Sequence, residues 1–390
     1  MRPPDIRQAV AGPFRAAQPT ADRTPRLLIA GGGTGGHLFP GIAIAREFMA
    51  RNARNAVLFV STGNAFEKKT LARAGFPLAA ISVAGIKGRG LGRTLKSLAL
   101  VPVGVVQSGR IIGDFRPDLV LGVGSYAAGP VVLAAWMTGI PVVLQEQNML
   151  PGITNRFLAR FARRIYVSFE DTAGRFDAEK VRWTGNPVRP EILSPPGAAV
   201  RDKQKREKPA ALNILIAGGS QGAHAINMAM VAALPLIRDK ARLDIVHQAG
   251  AADEDTVRKA YAAQGLHAVV AAFFEDMDRH YRQADLVICR AGATTVAEIT
   301  AVGKAAIFIP FPYAADDHQR LNAEALAGRG AAEIIAEKQL TAAGLAQKIE
   351  RFDTDRTALE RMAAQAKKLG RPAAAGLIVD DCYKIITGEG

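Results

Sequence analysis

Short apolar runs alternate with stretches of helical periodicity from residue 26 to the C-terminus. In the first half the pattern predicts strands over 26–30, 56–61 and 78–83, with helices over 40–50 and 66–74. A run without charge between Asp118 and Gln145 is long enough to span a bilayer. Gly122, Gly124, Gly129, Pro130, Gly139 and Pro141 punctuate it. It therefore reads as a strand over 119–123, a loop, a helix near 131–137 and a strand over 141–144. Strands separated by helix-length segments imply parallel pairing through crossover connections.

The pattern breaks over 194–211, where Ser194-Pro195-Pro196-Gly197 precedes a charged run. This reads as a linker or surface excursion. The alternation then restarts, with strands over 213–217, 244–248, 268–272, 286–289 and 305–309, a helix over 223–237 and an amphipathic helical tail over 353–386. The fold class is α/β, in two Rossmann-like halves, and 390 residues suit two domains. A repeat supports the division: residues 28–37 read LIAGGGTGGH and residues 215–224 read LIAGGSQGAH, agreeing at six positions besides the histidine. Coincidence in a glycine-rich chain is the alternative.

Composition narrows the function. Two cysteines, Cys289 and Cys382, without metal-type spacing, argue for a reducing compartment and against a zinc or disulfide framework. A formal net charge of +14 suits a polyanion. Only 6% of residues are aromatic and no nucleic-acid motif is present, which leaves a membrane surface and a phosphate-bearing substrate open. Residues 1–25 lack an apolar signal core and read as a flexible extension.

The candidate chemistry gathers where strands end. Gly31 to His37 follow a strand and open a helix, so their backbone can approach a ligand closely and the helix start favours an anion. The run matches G-x-G-x-x-G, but the next strand ends Ser61-Thr62-Gly63 without the carboxylate a dinucleotide ribose needs. His37, at a positive helix end, is expected neutral near pH 7, either as a general base or as a capping or packing histidine. Arg290 to Glu298 form a second anion-ready helix start. There Glu298 suits a ribose diol or simply complements the dipole. Gln145-Glu146-Gln147-Asn148 and Gly185-Asn186-Pro187-Val188-Arg189 also follow strands, and Arg189 suits a phosphate or a partner carboxylate. Residues 85–117 mix Lys87, Arg89, Arg93, Lys96, Arg110 and Arg116 with leucine, valine and isoleucine. That composition fits an anionic membrane interface or a core helix with a basic edge.

Taken together, GGGTGGH at 31–37, EQN at 146–148, GNPVR at 185–189, GGSQGA at 218–223, ATTVAE at 293–298 and DDHQRLNA at 316–323 resemble the MurG family of peptidoglycan glycosyltransferases over residues 26–386. The resemblance implies a GT-B fold, two Rossmann-like domains whose parallel sheets face a deep cleft. Residues 26–188 would form an acceptor and membrane domain, with a helix over 366–390 packing back on it, and residues 189–365 the UDP-sugar domain. It implies inverting transfer of N-acetylglucosamine from UDP-N-acetylglucosamine to the 4-hydroxyl of the muramyl sugar in lipid I. The expected setting is the cytoplasmic face of the bacterial inner membrane, without metal, cofactor or nucleic acid, and with other cell-wall or division proteins as partners. By the same resemblance, Thr34, Gly35 and Gly36 are part of the sugar-donor and acceptor-diphosphate cleft and His37 is the candidate base. Asn148 and Arg189 contact the donor, Ser220 a phosphate, and Phe274 the uracil. Ala293, Thr294, Thr295, Val296, Ala297 and Glu298 take the diphosphate and ribose, and Gln319 the transferred sugar. The chain departs from the family at Gln145, Ser125 and Ala291, where histidine, glycine and serine are usual. Other readings are a different GT-B enzyme, a membrane scaffold and a nicotinamide dehydrogenase.

Overall fold

The computed structural model describes residues 24–83, 91–193, 211–219, 221–266 and 268–389, with backbone only over 91–99. Two compact units emerge. One comprises Met1–Glu146, Pro151–Thr184 and Ala375–Gly390, the other Gln147–Leu150 and Gly185–Ala374.

The first unit runs β1 (Arg26–Ala30), α1 (Gly35–Arg51), β2 (Ala56–Ser61), α2 (Ala65–Ala74), β3 (Leu78–Ala80), α3 (Leu91–Phe115), β4 (Leu119–Gly122), α4 (Ala128–Met137), β5 (Val142–Glu146), α5 (Ile153–Leu158), β6 (Arg164–Val167) and β7 (Val181–Trp183). The sheet order is β3-β2-β1-β4-β5-β6-β7, all parallel. Leu27 of β1 sits opposite Val57 on one side and Leu119 on the other.

Both faces of this sheet are buried, which explains its continuous apolar strands. Leu27, Ile29, Leu119 and Leu121 face α1 through Leu38, Ile42 and Phe48. Leu28, Ala30 and Val120 face α4 through Val131, Val132 and Ala135. Successive residues of one strand thus feed opposite layers.

The second unit continues with α6 (Pro190–Leu193), β8 (Leu212–Ala217), α7 (His224–Ala233), β9 (Leu243–Gln248), α8 (Glu254–Ala263), β10 (Ala268–Ala271), α9 (Met277–Gln283), β11 (Leu286–Cys289), α10 (Ala293–Val302), β12 (Ala305–Phe308), α11 (His318–Ala327), β13 (Glu333–Ile334), α12 (Ala342–Thr354) and α13 (Arg356–Leu369). Its parallel order is β10-β9-β8-β11-β12-β13. Ile214, Ile216, Ile245 and Ile288 pack on Ile226 and Met230 of α7 and on Ile349 and Phe352 of α12.

The last helix, α14 (Ala374–Thr387), inserts Ile378, Val379, Cys382 and Ile385 into the first unit's core. Each fully buried aliphatic side chain contributes about 2 kcal/mol by area. Polar contacts fix its register: Tyr166 donates to Asp381 at 2.9 Å and Asn55 Nδ2 to the Tyr383 hydroxyl at 2.5 Å.

Several expected boundaries shift. Helix α1 begins at Gly35, because extended Thr34 is its N-cap, and Pro40 lies inside the second turn. Helix α7 stops at Ala233, where Leu234–Leu236, centred on Pro235, tightens into a 3-10 turn. The expected tail helix is broken at Asp355, which caps α13, and at Gly370. Among the described residues, no helix is long and apolar enough to cross a membrane.

Candidate functional site

In each sheet the strand order reverses beside the first strand, between β1 and β4 and between β8 and β11. Loops leaving the C-terminal ends of such a pair form the usual ligand crevice of an open α/β sheet. The glycine runs follow β1 and β8, so each unit carries one at its reversal point.

In the first unit Gly31, Gly32 and Gly33 have φ of 122°, 157° and 87°. A side chain on Gly31 would collide with the carbonyl of Gly124, which closes the loop after β4. His37 is half-buried, and its Nδ1 lies 3.0 Å from the Val123 carbonyl. A carbonyl only accepts, so Nδ1 carries a proton, and a neutral ring here has its lone pair on Nε2. Thr34 and Gly36 are exposed and Gly35 is intermediate.

Beneath this loop lies a residue that the motif reading did not single out. Glu67 is fully buried. Its Oε1 accepts from the Gly33 amide and the Ser61 hydroxyl, each at 2.5 Å. Its Oε2 accepts from Thr62 and from the Asn64 amide, each at 2.9 Å. Burial opposes ionisation, but the hydrogen bonds outweigh it and hold the carboxyl below the usual carboxylate range. The signal was present as Asn64-x-x-Glu67, a capping box at the start of α2.

In the second unit Ala293 to Glu298 form the first six residues of α10, with Gly292 as N-cap. The amides of such a first turn have no intrahelical partner. Glu298 is buried, and its Oε1 receives Arg189 Nε at 3.1 Å and Nη2 at 2.9 Å. Burial lowers the Arg189 pKa but the Glu298 carboxylate outweighs it, so the guanidinium is held charged. Burial, with Glu298 nearby, pushes the Tyr281 hydroxyl well up, which keeps it a donor to that carboxylate. The carboxylate-partner reading of Arg189 is therefore met within the protein.

Asn148 is reached through Asn322. That side chain accepts from the Met149 amide at 2.9 Å and donates to Asn148 Oδ1 at 3.3 Å and to the Ala291 carbonyl at 3.2 Å. It pins residues 147–150 to the start of α10. Gln248 does the same for Phe274, accepting from its amide at 2.9 Å while donating to the Gly219 carbonyl at 2.8 Å. Gln319 Oε1 accepts from the Phe311 amide at 3.0 Å, which fixes the side-chain amide's orientation. Ser220 lies outside the described residues. Asn322 lay within the quoted DDHQRLNA run, whereas nothing in the sequence marks Gln248.

Two all-parallel sheets, each followed at its reversal point by a glycine run, define a twin-Rossmann α/β protein. The glycosyltransferase family 28 N-terminal domain model matches residues 27–167 and the C-terminal domain model residues 213–378. The chain is 50% identical over 364 residues to the UDP-N-acetylglucosamine--N-acetylmuramyl-(pentapeptide) pyrophosphoryl-undecaprenol N-acetylglucosamine transferase of Syntrophus aciditrophicus, covering 93% of this chain and 99% of that one. It is 48% identical over 357 residues to the transferase of the same name from Geobacter sulfurreducens, covering 91% and 97%. The crystal structure of Acinetobacter baumannii MurG superposes with a TM-score of 0.74 at 33% identity, covering 92% and 99%. A UDP-GlcNAc 2-epimerase from Neisseria meningitidis, at 15% identity and TM-score 0.64 over 93% and 100% of the two chains, shares the fold alone. The chain belongs to the MurG family of N-acetylglucosamine transferases.

Proposed function

We propose that this chain transfers N-acetylglucosamine from UDP-N-acetylglucosamine to the 4-hydroxyl of the muramyl sugar in lipid I, giving lipid II and UDP. The carrying observation is near-full-length identity to transferases of that name, and the hydrogen-bonded cluster at the start of α10 supports it. In this reading the α10 amides and Ser220 meet the diphosphate, the Phe274 backbone meets the uracil and Glu298 meets the ribose diol. Asn148, Arg189 and Gln319 meet the donor and its sugar.

Thr34, Gly35 and Gly36 belong to the acceptor side. The acceptor oxygen bonds to C1 as the C1–O bond to UDP breaks, and the electron pair leaves on the diphosphate. The hydroxyl proton passes to Nε2 of His37, and attack opposite the leaving group gives a β-1,4 link. Purified protein is expected to release UDP only when lipid I or a short-chain analogue is added. UDP release at the same rate without acceptor, or no turnover with authentic lipid I, would sink the assignment.

The same reading puts the enzyme on the cytoplasmic face of the plasma membrane. In support of a membrane surface, Trp136, Met137, Ile153 and Phe157 of α4 and α5 are 46%, 54%, 64% and 52% exposed. The Arg160 guanidinium stands 4.4 Å from the Phe157 ring centroid. Exposed aromatic and aliphatic side chains beside arginine suit an anionic bilayer surface. Helix α3 divides the two readings of 85–117: Ile112 is core while Val103 and Val106 are exposed, and residues 84–90 lie outside the described residues. Co-sedimentation with anionic vesicles should fall as salt rises, whereas salt-independent binding would count against a charge contribution.

A further inference from the structure

We infer that Glu67 is a positioning residue for the acceptor loop, its buried carboxylate fixing Gly33 and with it the backbone that leads through Thr34 to His37. The inference rests on the assignment of that loop to the acceptor.

A capping box accounts for only half of what Glu67 does. Its reciprocal bonds join Oε2 to the Asn64 amide and the Asn64 side chain to the Glu67 amide. Oε1 is not needed for that cap, yet it accepts from the Gly33 amide and the Ser61 hydroxyl. The loop is closed over it, since a Cβ on Gly32 would stand 2.5 Å from Oε1 and 2.7 Å from Ser61 Oγ.

Only a carboxylate fits these donors. Two are backbone N–H groups, Gly33 and Asn64, one on each oxygen, and neither can accept. A glutamine there must turn its own N–H₂ toward one of them. Every donor is uncharged, so the carboxylate keeps its negative charge directly under the glycine run. The Gly33 amide is thereby used, which fixes the backbone just before Thr34 and the start of α1.

The test compares wild type with Glu67→Gln and Ser61→Ala in the full chain, using a short-chain lipid I analogue. Glu67→Gln should lower kcat/KM for the acceptor at least tenfold, while the UDP Kd by calorimetry stays within twofold. Ser61→Ala, which removes one donor from Oε1, should lower it about threefold. Exchange of the Gly33 amide, followed by NMR, should speed at least tenfold in Glu67→Gln. A folded Glu67→Gln protein with acceptor kcat/KM within twofold of wild type overturns the inference. So does a loss matched by equal losses of UDP binding and of circular dichroism, which marks a purely structural role. If Glu67→Gln does not fold, Ser61→Ala decides, and an acceptor kcat/KM within twofold of wild type overturns it. Should wild type itself not turn over lipid I, the acceptor assignment fails, and Gly33 exchange still reports whether Glu67 holds the loop.

Discussion

The loops over 31–37 and 218–224 are similar in sequence and follow equivalent strands of their sheets, but their neighbours differ. In the first, the Gly33 amide is bonded to a buried carboxylate. In the second, the Gly219 carbonyl takes a neutral amide from Gln248, and Gly222 turns at φ 78° against the Ala249 carbonyl. His37 is half-buried on a carbonyl, whereas His224 is exposed beside the Asp253 carboxylate at 3.0 Å. A glycine string therefore specifies a turn and close approach, while the residues packed beneath it decide what the turn favours. By this comparison the first loop is fixed through one of its own amides by a carboxylate, and the second through its Gly219 carbonyl by a neutral amide.

The strongest way to break the contrast is to change both histidines. If His37 is the base, His37→Ala should lower kcat roughly 10²- to 10⁴-fold with little change in UDP affinity. His224→Ala should leave kcat within about twofold, as befits an exposed side chain beyond the chemistry. Steady-state kinetics on the two variants checks this, and comparable losses from both would erase the distinction between the loops.

The two buried carboxylates sharpen it next. Glu67 is held by uncharged dipoles, Glu298 by the Arg189 guanidinium. Removing that cation strands a charge that is 5% exposed at its side chain. Arg189→Ala should cost about 3 kcal/mol in urea unfolding of the second unit, before any effect on the donor. A cost below about 1 kcal/mol would mean that Tyr281 and water suffice.

Much of this was legible in the chain. Strands β1, β2 and β11 fall where the apolar runs begin and end, because a parallel strand buried on both faces has no polar position to blur it. Helix α1 starts five residues before the expected 40–50, because Gly35 and Gly36 are already helical and Pro40 is accommodated inside it. Strands β7 and β13, of three and two residues, are too short to show a period. At the site, residue types at strand ends marked Asn148, Arg189 and Glu298. The residues that tie them together, Asn322, Gln248 and Tyr281, act across long sequence separations that one sequence does not display.

Below the second loop, His247 tests the same contrast through pH. It is fully buried, with Nε2 donating to Asn227 Oδ1 and Nδ1 accepting from the Tyr261 hydroxyl, each at 3.0 Å. Asn227 in turn holds the Ala249 carbonyl against which Gly222 turns. Burial pushes the His247 pKa down to about 4. The folded protein thus binds this proton less readily than the unfolded chain, whose histidine titrates near 6.5. The stabilisation is complete above about pH 6.5 and is lost as pH falls toward 4. Between pH 7 and 5 that amounts to about 2 kcal/mol. Urea midpoints at the two pH values should show this drop in wild type and a smaller one in His247→Gln. An equal slope in both would assign the acid sensitivity elsewhere.

The smallest effect belongs to the first loop. Ser125 follows β4 with φ 70°, a left-handed conformation that costs a residue with a Cβ roughly 1–2 kcal/mol. Its Oγ would lie 3.5 Å from a Cβ placed on Gly33, so the strain is stored beside the acceptor loop. Ser125→Gly relieves that strain but gives the unfolded chain extra freedom, worth about 0.5–1 kcal/mol in the opposite direction. The balance is a gain of about 0.5–1 kcal/mol, seen as a rise of roughly 2 °C in Tm for a domain of this size. A fall in Tm instead would mean that the serine hydroxyl makes up more than its backbone costs. The loop would then be held from the β4 side as well as by Glu67.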